Sequence, residues 1–246
     1  MTSAADIQVV ILAGGKGTRL APLTNDRPKA LIPVAGRPFA DRQLALLKAN
    51  GATRILYAIG VMGDKLRAHV RDGAAHGLVV DYVDDGPTPL GTGGPLRRAL
   101  DAGLLQPRFL VTYGDSYLPV PLAPVLHALD ASSRTALMTV FRNDGRWDSS
   151  NIAYADGRIR LYDKRGRHPD IPLDHIDYGL LALTREFVAE HIPRDTPLDL
   201  ADPLYQLSLS GELAGHEVTT RFWEMGSHEG LAELEAALRS GAVPAP

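Results

Sequence analysis

The sequence predicts an α/β fold built on a mixed, mostly parallel, doubly wound sheet with helices on both faces. Short apolar runs alternate with segments of helical spacing throughout the first half of the chain. Glycine-containing turns separate these segments, and the second half changes to short strands joined by tight turns. Such β-α alternation is typical of parallel sheets whose ligands bind at the carboxyl ends of the strands.

Four strands and three helices are predicted in the first half. The apolar run at residues 7–12, broken only by Gln8, indicates a buried strand, and Leu44, Leu46 and Leu47 have helical spacing before a Gly51 cap. The predicted strands are residues 7–12, 54–59, 78–83 and 109–112. The predicted helices are residues 40–49, 63–71 and 94–102.

The second half is predicted to be richer in β-structure. Asp156-Gly157 is a hairpin signal between two short apolar runs. The predicted strands are residues 136–141, 152–154, 158–162 and 175–183, with a further strand and its turn within 211–220. The predicted helices are residues 198–209 and 226–239, and residues 242–246 are expected to be a frayed tail.

Composition excludes several classes of protein. A net charge of −3 and the lack of a basic block with aromatic residues argue against a nucleic-acid surface. The sequence has no cysteine, so it forms neither a disulfide nor a thiolate metal site, and its eight histidines lack ligand spacing. No apolar run approaches twenty residues, the length needed to span a membrane, and the first six residues form a short polar segment unlike a signal peptide. We therefore expect a cytoplasmic protein that binds no membrane.

A glycine-rich turn follows the first predicted strand and is the most informative segment of the chain. It reads Leu12, Ala13, Gly14, Gly15, Lys16, Gly17, Thr18, Arg19, Leu20. Glycines let the backbone approach a ligand, and successive N–H groups in such a turn bind anions. Arg19 adds a planar cationic fork, and Lys29 follows between Pro28 and Pro33, which we expect to hold it in an extended segment. The turn and the two cations predict a polyphosphate site.

General phosphate motifs fit this segment poorly. It contains no Walker loop, and the dinucleotide fingerprint fails because Leu20 stands where a third glycine is required. The segment closely resembles the signature of the sugar-1-phosphate nucleotidyltransferases, A-G-G-x-G-T-R-L-x-P-L-T followed by P-K-x-L-x-P-V. Pro22, Leu23, Thr24 and Val34 also match that signature.

The resemblance implies a Rossmann-like enzyme that joins a nucleoside triphosphate to a sugar 1-phosphate and releases pyrophosphate. It implies a single domain over residues 1–241, with a nucleotide half at about 1–133 and a sugar-binding half at about 134–241. In this family Arg19 would hold the leaving phosphates, and Lys29 would lie near the α-phosphate. The nucleotide would lie along Leu12, Ala13, Gly14, Gly15, Gly17 and Thr18.

Two acidic residues are candidate ligands for Mg²⁺. Asp115 follows the strand predicted at 109–112 and a glycine, which matches the family's G-D, and carboxylate oxygens suit Mg²⁺. An isolated aspartate in such a turn also commonly accepts backbone N–H groups. Glu224 stands where the family's W-x-D-x-G-T pattern has its second metal-binding aspartate. Ser227 replaces the threonine of that pattern and is also a candidate helix cap.

The base and the sugar are predicted by resemblance alone. Gly91, Thr92 and Gly93 correspond to the family's base-binding loop, and Gly86 stands where thymidylyl and many uridylyl enzymes carry a glutamine. The loop resembles that of guanylyltransferases for mannose or D-glycero-D-manno-heptose 1-phosphate, and N-acetylmuramate 1-phosphate uridylyltransferases share part of it. Residues 157–164 are similar to the family's segment ending E-K-P, which implies a sugar hydroxyl at Asp163 and the sugar phosphate at Lys164; a solvated cation after a strand also explains Lys164. Residues 175–180 match the family's N-A-G-I-Y, which implies that Gly179 lies under the sugar.

Other interpretations stay open at this point. A noncatalytic sugar-nucleotide sensor on the same fold would explain the missing second aspartate but not the retention of Arg19, Lys29 and Asp115. A nicotinamide-dependent dehydrogenase would need an acid on the second strand, which has none. Four polar or aromatic residues are candidates either for the sugar pocket or for an ordinary surface loop. They are Asn143, Asp144, Trp147 and Asn151. Homo-oligomers are common in the family, but no exposed apolar stripe identifies an interface.

Overall fold

A computed structural model describes residues 6–15, 17–86 and 88–246. Lys16, part of the predicted phosphate turn, lies outside the described residues. The chain forms two compact units, each assembled from separate stretches. The first comprises the chain up to Pro89, Val111–Leu122 and Arg221–Pro246; the second comprises Leu90–Leu110 and Ala123–Thr220. The single domain expected over residues 1–241 stays a prediction.

Seven helices and thirteen strands are found among the described residues. The helices are α1 Phe39–Ala49, α2 Gly63–Val70, α3 Gly94–Asp101, α4 Ala123–Ser132, α5 Arg185–His191, α6 Ala201–Ser210 and α7 His228–Ser240. The strands are β1 Ile7–Ala13, β2 Pro33–Val34, β3 Arg37–Pro38, β4 Ala52–Ile59, β5 Val79–Asp84, β6 Arg108–Tyr113, β7 Ser116–Tyr117, β8 Ala136–Arg142, β9 Ile152–Ala155, β10 Arg158–Tyr162, β11 His175–Thr184, β12 Leu213–Val218 and β13 Trp223–Glu224.

The first unit is organised by parallel strands. β4 pairs in parallel with β1 on one side and with β5 on the other. Residues 7–11 of β1 are all buried, including Gln8, as the apolar run predicts for a strand inside the sheet. α1 packs on β4, and its C-terminus is followed by Gly51 at a φ of 107°, so the predicted glycine end is confirmed.

The end of the chain packs into the core of the first unit. Val243 is only 2 % exposed and lies in one apolar cluster with Leu20, Tyr117 and Leu234. The hydroxyl of Tyr117 donates a hydrogen bond to the carbonyl of Pro244 at 2.7 Å. The expectation of a frayed tail is therefore wrong, because Val243 has an apolar pocket that the sequence pattern does not reveal.

The second unit contains a closed ring of five strands. β8 pairs antiparallel with β11 and in parallel with β12, while β10 pairs antiparallel with both β12 and β9. β9 closes the ring through the pairing of Ile152 with His175 on β11. The predicted hairpin between β9 and β10 is confirmed, with Asp156 and Gly157 at φ values of 53° and 72°.

The mixed α/β fold class is confirmed, although two helices and four strands of two residues each were not predicted. The helices are α4 and α5, and the strands are β2, β3, β7 and β13. α5 has only seven residues, and a strand of two residues has no periodicity to detect. α6 begins at Ala201 instead of residue 198, because Asp199 accepts the N–H of Ala201 and ends the preceding loop. None of the helices described in the structure is both long and apolar enough to cross a bilayer.

Candidate functional site

The turn after β1 presents Arg19 while burying its neighbour. Gly17 has a φ of 63°, in the left-handed region that favours glycine. Its carbonyl accepts the N–H of Leu20 at 3.0 Å and the hydroxyl of Thr24 at 3.2 Å. These bonds close a 3₁₀ turn over Thr18–Leu20, in which Leu20 is fully buried and Arg19 is exposed. The turn therefore presents a cation to solvent beyond the carboxyl end of β1.

Gly14 permits a close approach between the turn and a buried carboxylate. A Cβ built on Gly14 would lie 2.5 Å from Oδ2 of Asp85, and one on Gly60 would lie 2.7 Å from the carbonyl oxygen of Gly14. Asp85 is 6 % exposed and donates its N–H to the carbonyl of Ile59 at 2.9 Å. The sequence analysis assigned Asp85 no role, although an acid directly after a buried strand was a usable signal.

Lys29 and Asp115 form an ion pair in a mostly buried position. Nζ of Lys29 bonds Oδ2 of Asp115, and the two side chains are 16 % and 24 % exposed. Lys29 stands on a 3₁₀ turn in which Leu31 donates its N–H to Pro28 at 2.9 Å. The extended segment expected at Lys29 is therefore wrong: Pro28 is itself extended, but it precedes the turn and supplies its first acceptor.

A glycine lets the end of β6 lie directly against β1. The N–H of Gly114 donates to the carbonyl of Leu12 at 2.9 Å, and a Cβ on Gly114 would lie 3.0 Å from Cβ of Ala13. Asp115 is the next residue, so its carboxylate leaves the backbone beside the carboxyl end of β1. The lack of a side chain at Gly114 therefore allows the chain before Asp115 to pack directly on the end of β1.

The three predicted catalytic side chains converge around Gly226. A Cβ built on Gly226 would lie 3.5 Å from Nη2 of Arg19 and 3.8 Å from Oδ2 of Asp115, which also bonds Lys29. Residues distant in sequence thus place two cations and one carboxylate in the same neighbourhood. Two cations beside one carboxylate can bind a polyanion together with a metal ion.

Glu224 stands on the strand beside Asp115. Glu224 pairs with Ser116 where β13 meets β7, and the N–H of Met225 donates to the carbonyl of Asp115 at 2.9 Å. The Glu224 side chain is exposed. Within the described residues no cluster of three or more His, Cys, Asp or Glu side chains could hold a metal ion. Two carboxylates nonetheless fit Mg²⁺, which commonly takes one or two carboxylates and completes its shell with water and phosphate oxygens.

Ser227 caps the helix that follows Glu224. Its hydroxyl oxygen accepts the N–H of Gly230 at 3.1 Å, at the start of α7. The expected cap is confirmed and explains why a hydroxyl residue stands at this position.

In the second unit, the predicted base-binding loop has its one hydroxyl turned toward the protein. Thr92 donates its hydroxyl hydrogen to Oδ1 of Asp199 at 3.1 Å and accepts the N–H of Leu200 at 2.8 Å. Gly91 and Gly93 flank it immediately before α3. The loop can therefore offer a ligand its backbone and its glycine surface more readily than this hydroxyl.

Asp163 organises the loop that carries Lys164. Its carboxylate is 4 % exposed, and its Oδ2 accepts the N–H of His168 at 2.7 Å. Burial alone would raise the pKa of Asp163, but the N–H groups of Arg167, His168 and Arg165 outweigh it and lower the pKa. Asp163 thus stays an anion that fixes the loop, while Lys164 is exposed. A contact of Asp163 with a sugar hydroxyl stays a prediction.

Asp177 and Gly179 form a distorted part of β11. Gly179 has a φ of 89°, and its N–H donates to Oδ1 of Asp177 at 2.9 Å. The hydroxyl of Tyr162 lies 3.4 Å from Oδ2 of Asp177. Burial raises the pKa of Asp177, while the N–H of Gly179, the charge of Lys164 and the Tyr162 hydroxyl act in the opposite direction. Sequence reasoning singled out Gly179 but gave Asp177 no role, although Asp177 lies in the same matched segment.

The polar residues 143–151 divide into structural and exposed members. Asn143 is fully buried, and its side chain accepts the N–H of Trp147 at 3.2 Å and donates to the hydroxyl of Ser150 at 3.3 Å. Asn151 accepts the N–H of Asp177 at 2.9 Å through its side chain. These two asparagines therefore shape the loop and β11, whereas Trp147 is 43 % exposed.

Comparison with known proteins gives consistent matches. A family model described as "Nucleotidyl transferase" matches residues 8–150. The mannose-1-phosphate guanylyltransferase of Mycobacterium tuberculosis is 29 % identical over 98 % of this chain, which spans 67 % of that relative. An N-acetylmuramate alpha-1-phosphate uridylyltransferase of Caulobacter vibrioides is 41 % identical over 37 % of this chain and 38 % of its own length. The crystal structure of HddC from Yersinia pseudotuberculosis shares the fold, with a TM-score of 0.75 and 22 % identity over 94 % of this chain and 99 % of that one.

The two neighbouring glycines of the turn give a matched test of its packing. We expect Gly14→Ala to lower the free energy of unfolding by about 1–3 kcal/mol, because its Cβ would press on the buried Asp85 carboxylate. Gly15→Ala should leave the stability unchanged or slightly raised, since a Cβ there meets no atom within 4 Å. Urea unfolding of both variants checks this, and equal stabilities would contradict the close approach at Gly14.

Proposed function

We propose that this chain, which belongs to the nucleotidyl transferase family, condenses a nucleoside triphosphate with a sugar 1-phosphate to give a nucleotide-diphosphate sugar and pyrophosphate. The observation that carries the proposal is the convergence of Arg19, Lys29 and Asp115 around Gly226. A reaction between two polyanions needs cations and alignment above all, and this cluster supplies both.

The chemistry is an in-line displacement at the α-phosphorus. A phosphate oxygen of the sugar 1-phosphate forms a bond to the α-phosphorus, and the bond from that phosphorus to the α–β bridging oxygen breaks. The nucleophile is already an anion at neutral pH, so no general base is required. Arg19 binds the leaving β- and γ-phosphates, and Lys29 stabilises the negative charge that grows at the α-phosphate. Lys164 binds the phosphate of the sugar.

Mg²⁺ fits the acidic pair of the first unit. Asp115 and Glu224 would hold the ion through their carboxylate oxygens, and the ion neutralises phosphate charge when bound. In the structure Lys29 pairs with Asp115. On substrate binding the phosphates would pair with Lys29, and the Asp115 carboxylate would then be available to hold the metal ion.

We propose GTP as the nucleotide and a mannose or heptose 1-phosphate as the sugar. Gly86 offers no side chain to read a pyrimidine edge, and the M. tuberculosis relative is a guanylyltransferase. The proposal places the enzyme in the cytoplasm, where nucleoside triphosphates are available.

A second candidate is uridylyl transfer to another sugar 1-phosphate. It is favoured by the 41 % identity to the N-acetylmuramate 1-phosphate uridylyltransferase, although that match covers 37 % of this chain. The third candidate function is that of a noncatalytic subunit that binds a sugar nucleotide. It is disfavoured because binding alone does not require Arg19, Lys29 and Asp115 to converge on one point.

We expect GTP to exceed dTTP by more than about tenfold in kcat/KM, because Gly86 has no side chain to hydrogen-bond the edge of a pyrimidine. A matrix of nucleoside triphosphates against sugar 1-phosphates, followed by pyrophosphate release, measures this. Preference for dTTP would overturn the base assignment, preference for UTP would establish the second candidate, and no turnover with any pair would refute the proposed reaction.

Lys29→Ala should keep the fold and lower kcat on the order of 10²–10³, the usual effect of removing a preorganised cation. Its ion pair is partly solvated, so the cost in stability should be small. Lys65→Ala is the matched control, since Lys65 is an exposed lysine that donates to the backbone carbonyl of Asp26. Wild-type turnover in the Lys29 variant, with thermal unfolding unchanged, would remove Lys29 from the chemistry.

Activity should require a divalent cation, and Asp115→Asn should abolish it because the amide cannot supply the charge that holds the metal against a triphosphate. Glu224→Asp should retain substantial activity, whereas Glu224→Gln should not. Magnesium titrations of activity and of Trp223 fluorescence, which reports on the residue beside Glu224, measure both effects. Full activity of Glu224→Gln at limiting magnesium would show that Glu224 is not a metal ligand.

A further inference from the structure

The loop at residues 90–93 is held by a short segment that precedes α6, residues 198–200, which we call the anchor segment. The N–H of Gly93 donates to the carbonyl of Leu198 at 2.8 Å, and the N–H of Leu198 donates to the carbonyl of Leu90 at 3.0 Å. This reciprocal pair resembles one rung of a strand ladder. Nothing in the local sequence links these segments, which lie more than 100 residues apart.

Side chains reinforce the backbone contact at Thr92. Its hydroxyl accepts the N–H of Leu200 and donates to Oδ1 of Asp199, and the same Oδ1 accepts the N–H of Ala201 at 3.1 Å. The hydroxyl hydrogen and one oxygen lone pair of Thr92 are thus already used. Asp199 joins the loop to the first turn of α6.

The glycines of the loop are explained by the same docking. Gly91 has a φ of +73°, and a Cβ there would overlap the carbonyl oxygen of Leu198. A Cβ on Gly93 would lie 2.6 Å from Cδ2 of Leu198. Both glycines therefore serve contact with the anchor segment, whatever they also do for a ligand.

Asp199 keeps its charge in this setting. Burial alone would raise its pKa, but the N–H of Ala201, the charges of Lys164 and Arg165, and the Thr92 hydroxyl together lower it. Nη2 of Arg165 lies 3.9 Å from Oδ2 of Asp199. The carboxylate is therefore a fixed acceptor at neutral pH.

We propose that Thr92 and Asp199 are positioning residues: their hydrogen bond, together with the anchor segment, holds the loop at residues 90–93 in the conformation that binds the nucleotide. Neither side chain needs to touch the ligand. The inference rests on the proposed function in one respect, since it takes this loop to bind the nucleotide.

The test uses the full-length protein with Thr92→Val, Asp199→Ala, their double variant and Asp199→Asn. GTP binding is measured by calorimetry without a sugar phosphate, and kcat and both KM values are measured separately. Thr184→Val is the matched control, because the Thr184 hydroxyl accepts the N–H of Phe187 at 3.3 Å and caps α5 in the same unit. It removes a hydroxyl cap without touching the loop.

We expect Thr92→Val and Asp199→Ala each to weaken GTP binding and raise the nucleotide KM about tenfold, the loss of one well-formed hydrogen bond. The sugar-phosphate KM of Thr92→Val should not change. The double variant should lose less affinity than the sum of the two single variants, because both single variants remove the same Thr92–Asp199 bond. Asp199→Asn should restore affinity, since its amide oxygen can accept the same two hydrogen bonds, from the Thr92 hydroxyl and the N–H of Ala201.

The inference is overturned if Thr92→Val binds GTP as tightly as Thr184→Val does, or if the effects of Thr92→Val and Asp199→Ala add in full. Both results concern only the variants. If the wild-type enzyme turns over normally, the proposed function stands even though the inference fails. A wild-type protein that binds no nucleoside triphosphate would overturn the inference and the proposed function together.

Discussion

The ion pair between Lys29 and Asp115 is the interaction on which the candidate site depends. It joins residues 86 positions apart and holds both charges in a partly buried position, with the side chains 16 % and 24 % exposed. Water still reaches both groups, so the pair adds little to stability, but each side chain fixes the orientation of the other. In the proposed reaction a phosphate would take the place of Asp115 beside Lys29, and a metal ion would take the place of Lys29 beside Asp115, so neither charge would be left without a partner.

Close backbone packing is the second constraint, and glycine is the residue that satisfies it. Gly114 lets β6 approach β1, Gly14 accommodates the Asp85 carboxylate, and Gly91 and Gly93 accommodate Leu198. A glycine-rich segment is thus explained by contacts within the protein as well as by ligand binding. At Gly93 and Gly114 the backbone N–H is also used within the protein, donating to the carbonyls of Leu198 and Leu12. Packing therefore accounts for these two glycines independently of any ligand.

The sequence predicted the elements with a regular pattern and the site residues that lie in a local motif. β1, α1 and the turn to Arg19 follow from an apolar run, helical spacing and glycines within a few residues. The missed features depend on contacts between distant segments. The docking of Val243, the start of α6 and the Thr92–Asp199 bond need a partner that local periodicity cannot indicate. The turn at Lys29 was missed because a proline can precede a helical turn as readily as an extended segment.

The most direct test of nucleotidyl transfer follows the fate of individual phosphates. The protein is incubated with a sugar 1-phosphate and GTP labelled at either the α- or the γ-phosphorus, and the products are separated by charge. Attack at the α-phosphorus predicts that the α-label appears in a nucleotide-diphosphate sugar and the γ-label in pyrophosphate. Recovery of the γ-label as orthophosphate or on the sugar phosphate, with the α-label in GDP, would contradict the mechanism.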